Sequence, residues 1–229
     1  QAVAELTLGL MLSLSRRITY WDSYVKSGSW DNPVAAYSAS KGFELKSQTI
    51  GLIGLGSIGQ EVSRICNSLG MTVLAYDPFV GEIGENKSGA TITNLDHLLK
   101  ESQFLSIHIP YTSDTEGLIG GRELGLMKKG SFIINTASHA VINELELVKH
   151  LKSHHLGGIA MDVHEAHPIP PNSPILKLDN VILTPHIGGA TKETIERHSS
   201  LMVESIKFFV DGLSPPRLVN PEVWDRYEH

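Results

Sequence analysis

A run of β-branched and apolar residues, Thr49 to Ile53, leads straight into Gly54-Leu55-Gly56-Ser57-Ile58-Gly59. Behind it Ile58, Val62, Ile65, Cys66 and Leu69 recur at helical spacing until Gly70. A strand, a glycine turn and an amphipathic helix in that order fit few folds, because the helix must fold back over one face of a sheet. The alternation continues: short apolar runs at Thr72 to Tyr76, Phe104 to Ile109, Phe132 to Asn135, Ile159 to Val163 and Val181 to Thr184 are separated by helical stretches or loops. Strands apolar at every position bury both faces, so the expected fold class is α/β, a doubly wound parallel sheet with helices on both faces. Cys66 lies on the apolar face of its helix and reads as a small core residue.

Ahead of the sheet, Ala2, Val3, Leu6, Leu10, Leu14 and Ile18 are spaced as one helix over Ala2 to Lys26, starting without a capping residue. The Gly, Ser, Asn and Pro of residues 27–33 read as loop. The helix is apolar on several sides, which suits contact with a partner subunit as well as burial in one domain. A last helix is expected from about Lys192 to Asp211, ended by Pro215 and Pro216. With 41% hydrophobic residues the chain has the apolar mass for a core, and a formal charge of −6 argues against nucleic acid as a partner. No run approaches the roughly 18 apolar residues of a membrane span. The single Cys66 forbids an intramolecular disulfide, so a reducing, cytoplasmic setting is expected. Gln1 is not an initiator and no signal-peptide pattern follows it, so the chain reads as a piece of a longer protein.

The glycine string is weak evidence alone but stands in the context that gives it meaning. Gly54 permits the tight turn, Gly56 lets the backbone approach a diphosphate, and Gly59 lets the helix lie close to the strand. Free amides at the helix start then face the anion. Asp77 stands eighteen residues after Gly59 at the end of the next strand, where a carboxylate can accept from a ribose diol. The same charge repels a 2′-phosphate, and no Arg follows in residues 77–87. A Rossmann-type domain preferring NAD to NADP is expected.

Four further segments arrive in order: His108-Ile-Pro-Tyr-Thr112 with Thr115, Ile134-Asn-Thr-Ala137, Met161-Asp-Val163, and Thr184-Pro-His-Ile-Gly-Gly189. Together with the glycine loop they resemble the NAD-dependent D-2-hydroxyacid dehydrogenases, the group containing phosphoglycerate, glycerate and formate dehydrogenases. The resemblance implies an NAD domain over residues 1–189 and a C-terminal helix and tail, 190–229, returning to a substrate lobe that this chain largely lacks. It implies a homodimer built partly by the first helix, and 2-hydroxy or 2-oxo acids as substrates. By residue, it implies that Ser57 and Ile58 present amides to the pyrophosphate and Asp77 holds the adenosine ribose. His108, Pro110 and Thr115 line the nucleotide path, Thr136 and Ala137 flank the nicotinamide ribose, and Asp162 fixes the carboxamide. His186 is the general acid/base, with Gly189 beside it at the cofactor.

Two positions depart from that pattern. Where the family carries a substrate-gripping Arg this chain has Ser138, followed by His139, and where it carries the Glu that orients the catalytic His this chain has His167. A hydroxyl replaces a planar, permanently charged fork of donors. A neutral His167 accepts a hydrogen bond from the catalytic ring but stabilises an imidazolium less than a carboxylate does. Glu165 supplies a carboxylate in its place if the loop is shifted. These departures support a rival reading, an NAD-binding pseudoenzyme or corepressor-like regulator that has lost turnover. Metal is not expected: His150 with His154 at i, i+4 on a helix, and His164 with His167, lack the companion ligands of a closed site.

Overall fold

The computed structural model describes residues 1–80, 84–85 and 87–226. Its sheet has eight strands: β1 (Thr49–Ile53), β2 (Thr72–Tyr76), β3 (Gly84–Glu85), β4 (Thr91–Ile92), β5 (Phe104–Ile107), β6 (Ser131–Asn135), β7 (Leu156–Met161) and β8 (Val181–Leu183). They lie in the order β3-β4-β2-β1-β5-β6-β7-β8. All pairings are parallel except β3 with β4. The strand order reverses beside β1, between β2 and β5, and a doubly wound sheet opens its ligand crevice outside the carboxyl ends of the strands at such a point.

The helices are α1 (Ala2–Arg16), α2 (Ile18–Lys26), α3 (Pro33–Ala39), α4 (Ser57–Ser68), α5 (Leu95–Glu101), α6 (Gly121–Leu126), α7 (Glu144–Lys152) and α8 (Lys192–Val210). Successive side chains of a strand alternate between faces, and here each face has its own core. Ile50, Leu52, Phe104, Phe132, Ile134 and Ala160 pack with Leu10, Met11 and Leu14 of α1 and Val62 and Cys66 of α4. Ile53, Leu105, Ile107, Ile133, Ile159 and Met161 pack with Leu98 and Leu99 of α5, Leu124 of α6 and Leu147 and Leu151 of α7. Burial on both sides is why the strands read as unbroken apolar runs. Gly51 is the exception that the packing requires: a Cβ there would stand 2.4 Å from Leu98 Cδ2 and 2.3 Å from Ser102 Oγ.

The expected single helix over Ala2 to Lys26 is two helices. Arg17 breaks it in the left-handed region (φ 52, ψ 42), its amide donating back to Leu14 O. Its guanidinium lies 4.2 Å over the Tyr20 ring, a cation–π contact that offsets part of the strain. The expected loop at 27–33 ends sooner: Asn32 caps α3, its side chain accepting from Ala35 N at 3.0 Å, and Pro33 takes the first helical position. The expected strand at Phe104 to Ile109 stops at Ile107, and that at Ile159 to Val163 shifts to Leu156–Met161, leaving Asp162 and Val163 past its end. The expected final helix is α8. By contact density Val3–Gly188 form one compact unit and Gly189–His229 a second. Among the described residues no helix is long and apolar enough to cross a membrane.

Candidate active site

The turn from β1 into α4 is built on glycine at positions where a side chain does not fit. Gly54 adopts φ +92, its amide donating to Tyr76 O at 2.9 Å. A Cβ on Gly59 would sit 2.2 Å from Gly54 O, so the helix can begin this close to the strand only without one. Gly56 is different: a Cβ there meets nothing within 4 Å, which leaves an open hollow above the start of α4. No side chain caps this helix, so the leading amides, Ser57 and Ile58 among them, keep no intrahelical acceptor. These residues fit a dinucleotide diphosphate.

Asp77 follows β2 and is tied to that turn. Its Oδ2 accepts from Leu55 N at 2.8 Å and its Oδ1 from Phe79 N at 2.9 Å. The carboxylate is therefore oriented at the crevice before any ligand arrives, with lone pairs left for a sugar diol. His108 follows β5 across the crevice, its backbone carbonyl and Ile109 crowding Gly54. Its Nε2 lies 2.9 Å from Ser106 Oγ. Burial pushes the His108 ring down to about 4, so it is a neutral group at pH 7. Thr115 is engaged within its own loop, its hydroxyl donating to Pro110 O at 2.8 Å and accepting from Thr112 N at 2.8 Å.

After β6, buried Asn135 folds the next turn: its Oδ1 accepts from Ala137 N at 3.1 Å and its Nδ2 donates to Ser138 O at 2.8 Å. Thr136 Oγ1 lies 3.3 Å from Thr7 Oγ1 of α1. Neither Asn135 nor Thr7 was singled out by the sequence reading. A lone buried Thr on an apolar helix stripe was the available signal. Ser138 is extended (φ −148), and His139 opens a 3-10 turn, His139–Val141.

Asp162, one residue past β7, is 1% exposed. Its Oδ1 accepts from Thr184 Oγ1 at 2.6 Å and Ile187 N at 2.8 Å, and its Oδ2 accepts from Gly188 N at 2.7 Å. His186 sits inside that turn with φ 59. Its Nδ1 stands 3.4 Å from His167 Nε2, the rings 5.4 Å apart between centroids. The partner of the His186 ring is thus His167, not Glu165. The His164 ring lies behind His167, tilted 53° to it with centroids 5.9 Å apart, and its Nε2 lies 2.9 Å from Thr184 O. Gly189 is exposed and begins the second unit. Of the other histidines, His154 lies beyond α7 at φ 53 instead of on a helix face, and the ring that His150 meets is His155, at 5.1 Å. Burial and the neighbouring His155 hold the His150 ring below its usual range. Among the described residues no group of three or more His, Cys, Asp or Glu is placed to hold a metal ion.

The carboxyl edge of one sheet therefore carries a glycine turn with an acidic residue tied to it on one side and a histidine pair on the other. Known proteins carry the same scaffold. The chain is 42% identical over 97% of its length to glyoxylate reductase of Thermofilum pendens, and 37% identical over 96% to D-3-phosphoglycerate dehydrogenase of Archaeoglobus fulgidus. It spans about two thirds (66%) of the first and 41% of the second. A solved D-lactate dehydrogenase of Aquifex aeolicus, complexed with NAD and lactic acid, superposes with a TM-score of 0.83 at 34% identity, over 93% of this chain and 67% of that one. Residues 8–188 match the family described as D-isomer specific 2-hydroxyacid dehydrogenase, NAD binding domain. The chain belongs to that family, of which it carries the NAD-binding domain.

Proposed function

We propose that this chain is the cofactor domain of an NAD-dependent oxidoreductase acting on the CH–OH group of 2-hydroxy acids and on the corresponding 2-oxo acids. The observation that carries the reading is the His186–His167 pair, 3.4 Å apart, on the same sheet edge as the glycine cradle. In this reading the leading amides of α4 hold the diphosphate, and Asp77 holds the adenosine ribose and, with no Arg in residues 77–87 to welcome a 2′-phosphate, selects NAD over NADP. When bound, the nicotinamide accepts or supplies a hydride. His186 holds the proton that moves on the substrate oxygen. His167 meets Nδ1 of that ring, which directs Nε2 toward the substrate and keeps the ring in one tautomer. Ser138 offers the substrate one hydroxyl where the family's Arg offers a charged fork, a difference of about 3 kcal/mol or more in transition-state binding. Slow turnover of a carboxylate substrate follows. The substrate lobe belongs to sequence outside this chain, with residues 190–229 leading back to it. Association as a homodimer suits the exposed apolar side chains of α2, Ile18 (51%) and Val25 (50%).

The test has two arms. NADH titrated into this chain is expected to bind, and Asp77→Ala to weaken it, because that change removes both the sugar contact and the anchor of Leu55 N. In the full-length protein, a panel of 2-oxo acids is expected to drive NADH oxidation that His186→Ala abolishes and Ser138→Arg with His167→Glu accelerates. Binding without turnover in either form would instead assign the protein to NAD-responsive regulation. No binding at millimolar NADH would refute the cradle itself.

A further inference from the structure

The turn that carries His186 places a non-glycine residue at φ 59, a left-handed conformation that is uncommon although His adopts it more readily than most residues. One buried carboxylate braces it. Thr184 Oγ1, Ile187 N and Gly188 N all donate to Asp162, at 2.6, 2.8 and 2.7 Å, and so bracket His186 on both sides. Hydrogen bonds to an ionised acceptor are about twice as strong as neutral ones. Thr184 is gripped a second time, its carbonyl accepting from His186 N at 3.0 Å and lying 2.9 Å from His164 Nε2. A Cβ on Gly188 would come within 3.0 Å of Asp162 Oδ2 and 3.4 Å of Val3 Cγ2, so the bracket closes against α1. Three of roughly four acceptor positions on the carboxylate are taken by this turn.

We propose that Asp162, acting through Thr184, is a positioning residue that sets where the His186 ring stands, and that this turn, more than the carboxamide of the cofactor, is what its charge serves. The inference rests on the reading of His186 as the acid/base. Proton transfer needs that ring within about 2.6–3.2 Å of the substrate oxygen, and a displacement near 1 Å costs roughly a hundredfold. Asn at 162 keeps the shape, loses the charge and sets an amide NH2 against one of the three donors. Val at 184 deletes one donor, and Ser restores it.

The decisive experiment measures kcat of the full-length protein and its NADH Kd for Asp162→Asn, Thr184→Val and Thr184→Ser. Expected are losses in kcat of about tenfold to a hundredfold for the first two, recovery with Ser at 184, and an NADH Kd changed by less than about threefold. A Kd that rises while kcat at saturating NADH stays put would overturn the proposal and return Asp162 to the carboxamide. A Thr184→Ser protein as slow as Thr184→Val would overturn it as well. Amide exchange in this chain needs no turnover and separates the two readings. Protection at Ile187 and Gly188 that Asp162→Asn and Thr184→Val abolish upholds the positioning role even if no 2-oxo acid is reduced. Fast exchange at those amides in the unsubstituted chain refutes it whatever the activity.

Discussion

Ala substituted at Gly56 and at Gly59 separates the two jobs of the glycine loop. At Gly56 the backbone (φ −66, ψ −167) is open to any residue, and the added Cβ meets nothing within 4 Å. The weaker helix-start preference of Ala costs a few tenths of a kcal/mol, and the reduced freedom of the unfolded chain returns about 0.4–1 kcal/mol. The melting temperature should therefore stay within about 2 °C. The methyl nonetheless fills the hollow proposed for the diphosphate. Forfeiting one charge-assisted hydrogen bond, about 1.5–3 kcal/mol, raises the NADH Kd roughly tenfold to a hundredfold. At Gly59 the balance reverses. Helix propensity favours Ala by about 1 kcal/mol, but its Cβ would stand 2.2 Å from the carbonyl oxygen of Gly54, and overpacking of that kind costs about 1–3 kcal/mol. The oxygen belongs to backbone already crowded by Ile109, so it yields only by moving the turn. Melting falls by a few degrees and NADH affinity falls with it. Differential scanning fluorimetry and NADH fluorescence titration on both variants check this. Ala at 56 that binds NADH like the unsubstituted chain would falsify the assignment of that hollow to the diphosphate.

Two ionisable groups give further expectations. The His108 ring is held at about 4 by burial against an ordinary value of 6.5, so the unfolded chain takes up its proton first as the pH falls. Stability is then unaffected by this group above about 6.5 and drains away between about 6.5 and 4, and His108→Gln should flatten that part of a urea-midpoint-versus-pH curve. An unchanged slope in the variant would clear His108 of the effect. Burial pushes the Cys66 thiol up to about 12, so a disulfide reagent at pH 8 should leave it unlabelled in the folded chain and label it once in urea. Rapid labelling of the native chain would mean that α4 opens from the sheet far more readily than its packing implies.

What the sequence disclosed and what it withheld divide along a physical line. Strand runs and helix stripes are local periodicities, and β1, β2, β5, β6 and β8 were legible because most of their residues are apolar whichever face they point to. β7 was misplaced because Gly157 and Gly158 look like a turn; Gly157 is glycine because a Cβ would stand 2.6 Å from Gly130 O in the turn before β6. Arg17 escaped notice because its strain is offset by a stack on Tyr20 that no spacing rule contains. β3 and β4, two residues each, carry no period to read. At the site, residue types could be read from the ordered segments, but partners could not. Asp77 bonded to Leu55, Thr7 beside Thr136, and Asp162 holding the turn around His186 all join residues at least 22 positions apart.

That same division bears on why Ser138 and His167 are tolerated. Asn135 shapes its turn through the backbone carbonyl of residue 138 and the amide of 137, so nothing in the turn depends on which side chain residue 138 carries. Asp162 likewise fixes the His186 turn through Thr184 and two amides, without His167. The two positions where the resemblance implies an Arg and a Glu are thus mechanically uncoupled from the bonds that shape their turns. On the proposed reading, substitution there alters chemistry and not stability. Ser138→Arg and His167→Glu should therefore fold as well as the unsubstituted chain, with any gain read in turnover alone.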